Sequence, residues 1–181
     1  MVITNEGAEF IKITHGDLTI AINPISKKSK LKGSSFGADV CLISANHPDL
    51  NGDEVVTRGD KKPFVAKGPG EYEVSGLFIE GFSSKTTYGG KEKINTIYTF
   101  EVDNIKVLYL GALGETDLSN KAKEEIGDID VLFVPIGGDG VLDPQEAYKV
   151  AVKREPKIII PIHFGQAVSY THLRAHETVV H

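Results

Sequence analysis

Short apolar or alternating runs, separated by glycine and proline, fill the first half of the chain. Runs of this length and spacing are typical of β-strands, and turn residues such as Gly68-Pro69-Gly70 and Ser75-Gly76 favour hairpins between them. We predict strands at residues 9–14, 18–22, 40–44, 63–66, 72–74 and 77–79. The first half of the chain is therefore expected to consist mainly of β-structure.

The second half of the chain alternates strands with helices. Two strands are predicted at 95–102 and 105–110, joined as a hairpin through Asp103-Asn104. A helix is predicted around 117–126, closed by Gly127, and a buried strand follows at 130–136.

A second helix, from about Pro144 to Arg154, has a clear start signal. Asp143 stands at the cap position and Glu146 lies three residues after it, which together form an acidic capping box. The run at 157–162 is almost entirely Ile and Pro, which predicts a strand covered on both faces. The whole pattern predicts two packed sheets with helices outside, an α/β architecture.

The composition indicates one globular domain without a nucleic-acid or membrane partner. The formal net charge is −5, and the basic run at 27–32 lies among Ser and Gly, where a solvated loop is expected. No stretch approaches the roughly 18 apolar residues of a membrane span, and the N-terminus lacks the pattern of a signal peptide. The single cysteine, Cys41, is predicted to be a buried thiol in a reducing compartment, the cytoplasm. A small molecule or a protein of unknown identity is the expected partner.

The end of the chain is interpreted as foreign to the protein. Residues 168–178 read VSYTHLRAHET, which resembles one translated frame of a sequencing-library adapter. We therefore expect a domain at 1–167 that is incomplete at its C-terminus, and a translation artefact at 168–181. His181 is excluded from the candidate site, as are His172 and His176, whose spacing would otherwise predict a zinc pair on a helix.

Six segments together carry a family resemblance. They are LTIAINPI at 18–25, ADVCLISANHPD at 38–49, KGPGEYEVSGLF at 67–78, IKVLYLGALG at 105–114, DIDVLFVPIGG at 128–138 and PKIIIPIHFG at 156–165. In order and approximate spacing they resemble the metallo-β-lactamase superfamily, in particular its small bacterial branch of zinc-dependent hydrolases. The resemblance implies an αββα sandwich, here C-terminally truncated, with a metal site at one edge between the two sheets.

The metal ligands of that family are only partly matched. The family supplies them from a His-X-His-X-Asp-His motif, a later His, a bridging Asp and a final His. In this chain His47, Asp49 and His163 stand at three of these positions. The other ligand positions are taken by Ala45, Leu50, the Lys85-Thr86 segment and Ala112. The early Gly-His-Ser-Cys segment of the family is also missing from 6–9, and Asn23 takes the place of a common Asp.

The number of matched ligands decides what function the resemblance implies. Catalytic zinc sites use about three protein ligands and one water, whereas one metal position here keeps only His47 and the other keeps Asp49 and His163. The implied zinc is therefore expected to be absent or weakly bound. We expect a protein with the hydrolase fold but without ordinary hydrolase activity, which acts in binding or scaffolding. The alternative is a residual single-metal hydrolase that uses Asp49 as its catalytic residue together with His163 and His47.

Each of these three residues also has a purely structural interpretation. His47 could cap the turn at Pro48, Asp49 could form an Asx turn, and His163 could be a hydrogen-bonded core histidine. We expect the three side chains to lie together in either case, because the implied fold brings these positions to one edge.

Overall fold

The computed structural model describes residues 1–164 and 177–179, and its first sheet contains six strands. They are β1 (Val2–Asn5), β2 (Ile11–His15), β3 (Leu18–Ile22), β4 (Val40–Leu42), β5 (Phe64–Ala66) and β12 (Glu177–Val179). Across the sheet the order is β12-β1-β2-β3-β4-β5. The pairs from β12 to β3 are antiparallel, and the pairs from β3 to β5 are parallel.

The second sheet also contains six strands. They are β6 (Gly70–Val74), β7 (Leu77–Thr86), β8 (Lys93–Val102), β9 (Ile105–Tyr109), β10 (Val131–Pro135) and β11 (Ile158–Ile162). The order is β11-β10-β9-β8-β7-β6, antiparallel from β6 to β9 and parallel from β9 to β11. The connections contain a 3-10 helix (Asp53–Val56) and two α-helices, α1 (Asn120–Glu125) and α2 (Pro144–Arg154).

The main core lies between the two sheets, because alternate residues of each strand point inward. Ile13 and Leu42 of the first sheet share one buried cluster with Phe133 of the second. Leu132, beside Phe133, points the other way and packs with residues of α1 and α2. The outer face of the first sheet is covered by the 3-10 helix and by residues between 25 and 38. The predicted arrangement of two packed sheets with helices outside is confirmed.

The second helix has the predicted bounds and the predicted cap. The Asp143 carboxylate accepts a hydrogen bond from the backbone N–H of Glu146 at 2.8 Å. The Glu146 carboxylate in turn accepts one from the backbone N–H of Asp143 at 3.1 Å. Two backbone donors that helix geometry leaves without partners are thereby satisfied.

β1 and β12 have no counterpart among the predicted strands, and two predicted strands differ in length or coverage. β7 continues to Thr86, well past the predicted end at 79, because residues beyond that point pair with β8 although many of them are polar. The run at 157–162 forms β11, but the prediction that it is covered on both faces is wrong, since Ile159 is 49% exposed and Ile158 is 36% exposed. The reason is position: β11 is an edge strand of its sheet among the described residues, and α2 lies over β10.

Three other predictions concern Cys41, the end of the chain and the membrane. Cys41 is fully buried as predicted, and burial raises the pKa of its thiol well above the usual range. The segment 168–181, interpreted as foreign, lies outside the described residues except for 177–179, which pair with β1. No helix in the described part of the chain is long and apolar enough to cross a membrane.

Candidate functional site

His47 and Asp49 lie in the turn that follows β4. The backbone N–H of Leu50 donates to the carbonyl of His47 at 2.8 Å, and the N–H of Asp49 donates to Nδ1 of the His47 ring at 3.0 Å. Burial lowers the pKa of His47, so its ring is neutral near pH 7. Because Nδ1 accepts a hydrogen bond, the neutral ring carries its hydrogen on Nε2, a tautomer assigned from the partner. Neither ring nitrogen then presents a free lone pair.

Tyr88, in the loop between β7 and β8, lies against both histidines of the candidate site. Its ring centroid is 4.7 Å from that of His47 and 4.6 Å from that of His163, where the contact is edge to face. Its hydroxyl donates to Oδ2 of Asp49 at 2.5 Å. Burial and the Asp49 carboxylate raise the pKa of Tyr88 well above its usual range, so the phenol remains a hydrogen-bond donor.

Both carboxylate oxygens of Asp49 have hydroxyl partners. Oδ2 accepts from Tyr88, and Oδ1 accepts from the hydroxyl of Ser29. The side chain of Asp49 is 14% exposed, and Nδ1 of His47 lies 3.7 Å from its Oδ2. Neutral donors therefore satisfy a largely buried carboxylate.

His163 follows β11 and is held by a buried carboxylate. Its Nδ1 is hydrogen-bonded to Oε2 of Glu9, a fully buried residue between β1 and β2. Oε1 of Glu9 accepts from the amide of Asn23 at 3.1 Å, and the backbone carbonyl of Glu9 accepts from the hydroxyl of Tyr109 at 2.6 Å. Burial alone would lower the pKa of His163, but the Glu9 carboxylate outweighs burial and raises it.

Three of the positions at which the resemblance implies further metal ligands lie in one apolar cluster. Ala45, Leu50 and Ala112 are buried together with Val141, and Tyr88 packs against the group. Leu50 and Ala112 are completely buried. A small hydrophobic core, which we call the Ala45-Leu50-Ala112 cluster, therefore lies next to His47 and Asp49.

Backbone strain is concentrated around this site. Ala8, Asn23, Asp139 and His163 have φ angles between 48° and 56°, the left-handed region that non-glycine residues rarely adopt. The other non-glycine residues with positive φ in the described part of the chain lie in hairpin turns or at the end of α2. Strain of this kind is typical of functional sites.

An opening of about 460 Å³ lies beside Tyr88. It is lined by the side chains and backbone of His47, Asp49, Thr87, Tyr88, Gly89, Gly90, Asp139 and Gly140. Its volume is in the range of sites that bind small molecules.

The structure brings His47, Asp49 and His163 together, but around a phenol ring instead of around one point. Within residues 1–164 and 177–179, no group of three or more His, Cys, Asp or Glu side chains is arranged to hold a metal ion. Among the described residues, these three side chains are thus not arranged around one point, as the ligands of a zinc ion would be. Glu9 and Tyr88 also belong to the site, although neither stands in a recognisable sequence motif. A lone carboxylate before an apolar strand could have indicated Glu9, whereas Tyr88 gave no signal.

Comparison with known proteins agrees on one family. Residues 3–163 match the sequence model of a beta-lactamase superfamily domain. A UPF0173 metal-dependent hydrolase of Listeria welshimeri is 26% identical over 198 residues, which cover 91% of this chain and 86% of that protein. A Thermotoga maritima structure, assigned as a Zn-dependent hydrolase of the metallo-beta-lactamase superfamily, is 34% identical with a TM-score of 0.72, covering 93% of this chain and 79% of that one. A structure from Parabacteroides distasonis, assigned as a metal-dependent hydrolase, shares the fold at 21% identity with a TM-score of 0.71, covering 95% of this chain and 86% of that one.

Proposed function

The chain belongs to the metallo-β-lactamase superfamily, and we propose that it is a member without ordinary metallohydrolase activity that acts as a binding or scaffolding protein. The Ala45-Leu50-Ala112 cluster carries this proposal. Its members stand at the ligand positions of the family motif and are packed against Val141 and Tyr88. An apolar core fills the place where the family needs electron-pair donors.

The affinity of a site for a metal ion depends on the number and charge of its ligands. Alanine and leucine side chains offer no lone pair, whereas a catalytic zinc ion needs about three protein ligands besides water. Replacing a bridging carboxylate by Ala112 also removes negative charge that would hold a dication. Most of the free energy of metal binding is thereby lost.

Two of the three remaining candidate ligands already have partners at the atoms that would bind metal. Nδ1 of His47 accepts from a backbone N–H, and both oxygens of Asp49 accept from hydroxyls. A metal ion at Asp49 would have to displace two hydrogen bonds to a charged acceptor. Hydrogen bonds to a charged acceptor are stronger than those between neutral groups, so an ion that displaces them binds more weakly.

Two observations support a retained binding role over a plain structural core. Ala8 and His163 hold left-handed backbone conformations beside the site, and the opening of about 460 Å³ beside Tyr88 has the size of a small-molecule site. We therefore infer a small-molecule or protein partner at this edge of the sheets. A cytoplasmic location is part of the proposal, supported by the free, buried thiol of Cys41, which suits a reducing compartment.

A residual single-metal hydrolase is the second candidate, and one contact favours it. A metal-binding histidine usually donates its second ring nitrogen to a carboxylate, and Glu9 makes that contact with His163. Asp49, His163 and His47 would be the ligands in this candidate. Its weakness is that Tyr88 lies against all three of them.

Metal content and hydrolysis should be measured together, in a variant that cannot bind metal through the end of the chain. His172, His176 and His181 are replaced by Gln for this purpose. Protein purified without chelator should contain well under one zinc ion per chain by elemental analysis. It should also hydrolyse phosphodiester, lactone and thioester substrates no faster than buffer with zinc.

Site variants separate a specific result from contamination. About one zinc ion per chain, lost together with hydrolysis in His47→Ala and in Asp49→Ala, would contradict the proposal and establish the second candidate. The matched control is His15→Ala, because His15 is 46% exposed in the turn between β2 and β3 and pairs with Asp103, away from the site. If the zinc content falls as much in His15→Ala as in His47→Ala and Asp49→Ala, the zinc is not bound specifically at the site. The proposal predicts this outcome for any residual metal.

A further inference from the structure

We propose that Tyr88 takes the place of a metal ion in this site and joins three separate segments of the chain through its side chain. The segments are the turn after β4, which carries His47 and Asp49, the end of β11, which carries His163, and the loop between β7 and β8. This inference rests on the proposed absence of metal chemistry and goes beyond it, because it assigns the occupant of the site.

The contacts of Tyr88 reach each of these segments. Its ring contacts the imidazoles of His47 and His163 at centroid distances of 4.7 and 4.6 Å. Its hydroxyl donates to Asp49 at 2.5 Å. One side chain thus engages the same three residues that the family motif matches as ligands.

A metal ion at Asp49 would compete with the Tyr88 hydroxyl for the same carboxylate. A zinc ion bound to a carboxylate lies roughly 2 Å from the ligand oxygen. The Tyr88 oxygen is already 2.5 Å from Oδ2 of Asp49 and is directed at it. The other oxygen of Asp49 is occupied by Ser29.

The backbone around Tyr88 is fitted to hold it there. The hydroxyl of Thr86 accepts from the backbone N–H of Tyr88 at 3.1 Å and donates to the carbonyl of Gly140 at 3.0 Å. A Cβ on Gly140 would lie 2.7 Å from the Tyr88 backbone, and a Cβ on Gly89, whose φ is +86°, would lie 2.8 Å from the His47 ring. Glycine at these two positions therefore allows the loop to press Tyr88 against the histidines.

The test compares substitutions of Tyr88 in the His172→Gln, His176→Gln, His181→Gln background. Thermal unfolding is measured for each protein alone, with equimolar zinc and with chelator. Tyr88→Phe keeps the ring and removes the donor to Asp49. Tyr88→His places a fourth ligand, the third with a nitrogen donor, among His47, Asp49 and His163.

Two matched controls accompany these variants. Tyr72→Phe also removes one tyrosine hydroxyl bond, to the carbonyl of Gly68 at 2.6 Å, but away from the site. Tyr148→His adds one histidine on an exposed face of α2, where the parent side chain is 71% exposed.

We expect the Tm of the parent to be the same with zinc and with chelator. Tyr88→Phe should lower the Tm by several degrees, about twice the loss in Tyr72→Phe, because a hydrogen bond to a carboxylate is roughly twice as strong as a neutral one. Zinc should not restore it. Zinc should raise the Tm of Tyr88→His by several degrees and leave that of Tyr148→His unchanged.

Two results would overturn the inference. One is a metal-free parent in which Tyr88→Phe lowers the Tm no more than Tyr72→Phe does. This result would leave the proposed function intact. The other is a zinc response of Tyr88→His no larger than that of Tyr148→His. A parent that itself contains stoichiometric zinc would instead contradict the proposed function, so the two failures are distinguishable.

Discussion

Glu9 is a fully buried carboxylate that connects three distant parts of the chain. It binds His163 after β11, Asn23 after β3 and, through its backbone carbonyl, Tyr109 at the end of β9. A charge buried so deeply is tolerated only when it is paired and hydrogen-bonded, as it is here. Glu9 therefore fixes the position of His163 within the site.

Removing the charge of Glu9 should destabilise the protein. Glu9→Gln leaves His163 beside a neutral amide, so we expect the free energy of unfolding to fall by about 3 kcal/mol, the usual cost of breaking a buried pair. Urea unfolding at pH 7 measures this change. Glu6→Gln, in the same loop but outside the network, should cost less than about 0.5 kcal/mol. Equal stability of the parent and Glu9→Gln would show that the Glu9–His163 pair contributes nothing to the free energy of unfolding.

At the scale of single residues, the sequence could predict which residues meet at the site but not their partners. The family resemblance predicted that His47, Asp49 and His163 lie close together, and the structure places all three against Tyr88. The pairing of His163 with Glu9 spans 154 residues of sequence, and that of Asp49 with Tyr88 spans 39. No periodicity links such positions, so only the folded chain shows that they meet.

Asp39 joins neighbouring elements of the first sheet. One carboxylate oxygen accepts from the backbone N–H of Thr19 in β3 at 2.8 Å, and the other lies 3.0 Å from Nζ of Lys61, shortly before β5. Partial burial raises the pKa of Asp39, but the Thr19 hydrogen bond and Lys61 outweigh burial and hold the pKa below its usual 3.8. The charged carboxylate therefore stabilises the sheet above that pH.

This direction of shift sets the pH dependence. A group whose pKa is lowered on folding contributes stability above its unfolded pKa and loses that contribution as the pH falls through the folded value. Asp39→Asn should therefore be less stable than the parent at pH 7, and the difference should shrink below about pH 4. Urea unfolding at both pH values checks it. Asp60→Asn, at an exposed neighbour, should show no such difference, and a difference for Asp39→Asn that grows in acid would contradict the assignment.

At the scale of helices and strands, the sequence predicted those bounds that depend on interactions between residues close in the chain. The capping box of Asp143 and Glu146 gave the start of α2, because the hydrogen bonds that form it lie within four residues. The far half of β7 was missed, since residues after 79 are polar and are held as a strand by pairing with β8. Coverage of β11 was overestimated because an apolar run does not reveal whether its strand lies at the edge of a sheet.

The two sheets share one core, and this determines how the whole molecule unfolds. Phe133 of β10 is completely buried between the sheets. Phe133→Ala should therefore lower the free energy of unfolding by about 3 to 5 kcal/mol. Loss of far-UV circular dichroism and change of tyrosine fluorescence should still coincide, because a common core makes unfolding cooperative. The control is Phe78→Ala, which should lower the free energy of unfolding far less because Phe78 is 52% exposed. Separate transitions in the two signals would show that the sheets unfold independently.

The Ala45-Leu50-Ala112 cluster has a consequence for the history of this chain. Placing one histidine or aspartate back at Ala112 or Leu50 would bury a polar group without enough partners to bind an ion, at a cost of several kcal/mol. The free energy of unfolding of a natural domain is only about 5 to 15 kcal/mol in total. Under the proposed function, each single substitution toward a metal ligand would be selected against before the last ligand gave any benefit, so the packed cluster opposes a stepwise gain of metal chemistry.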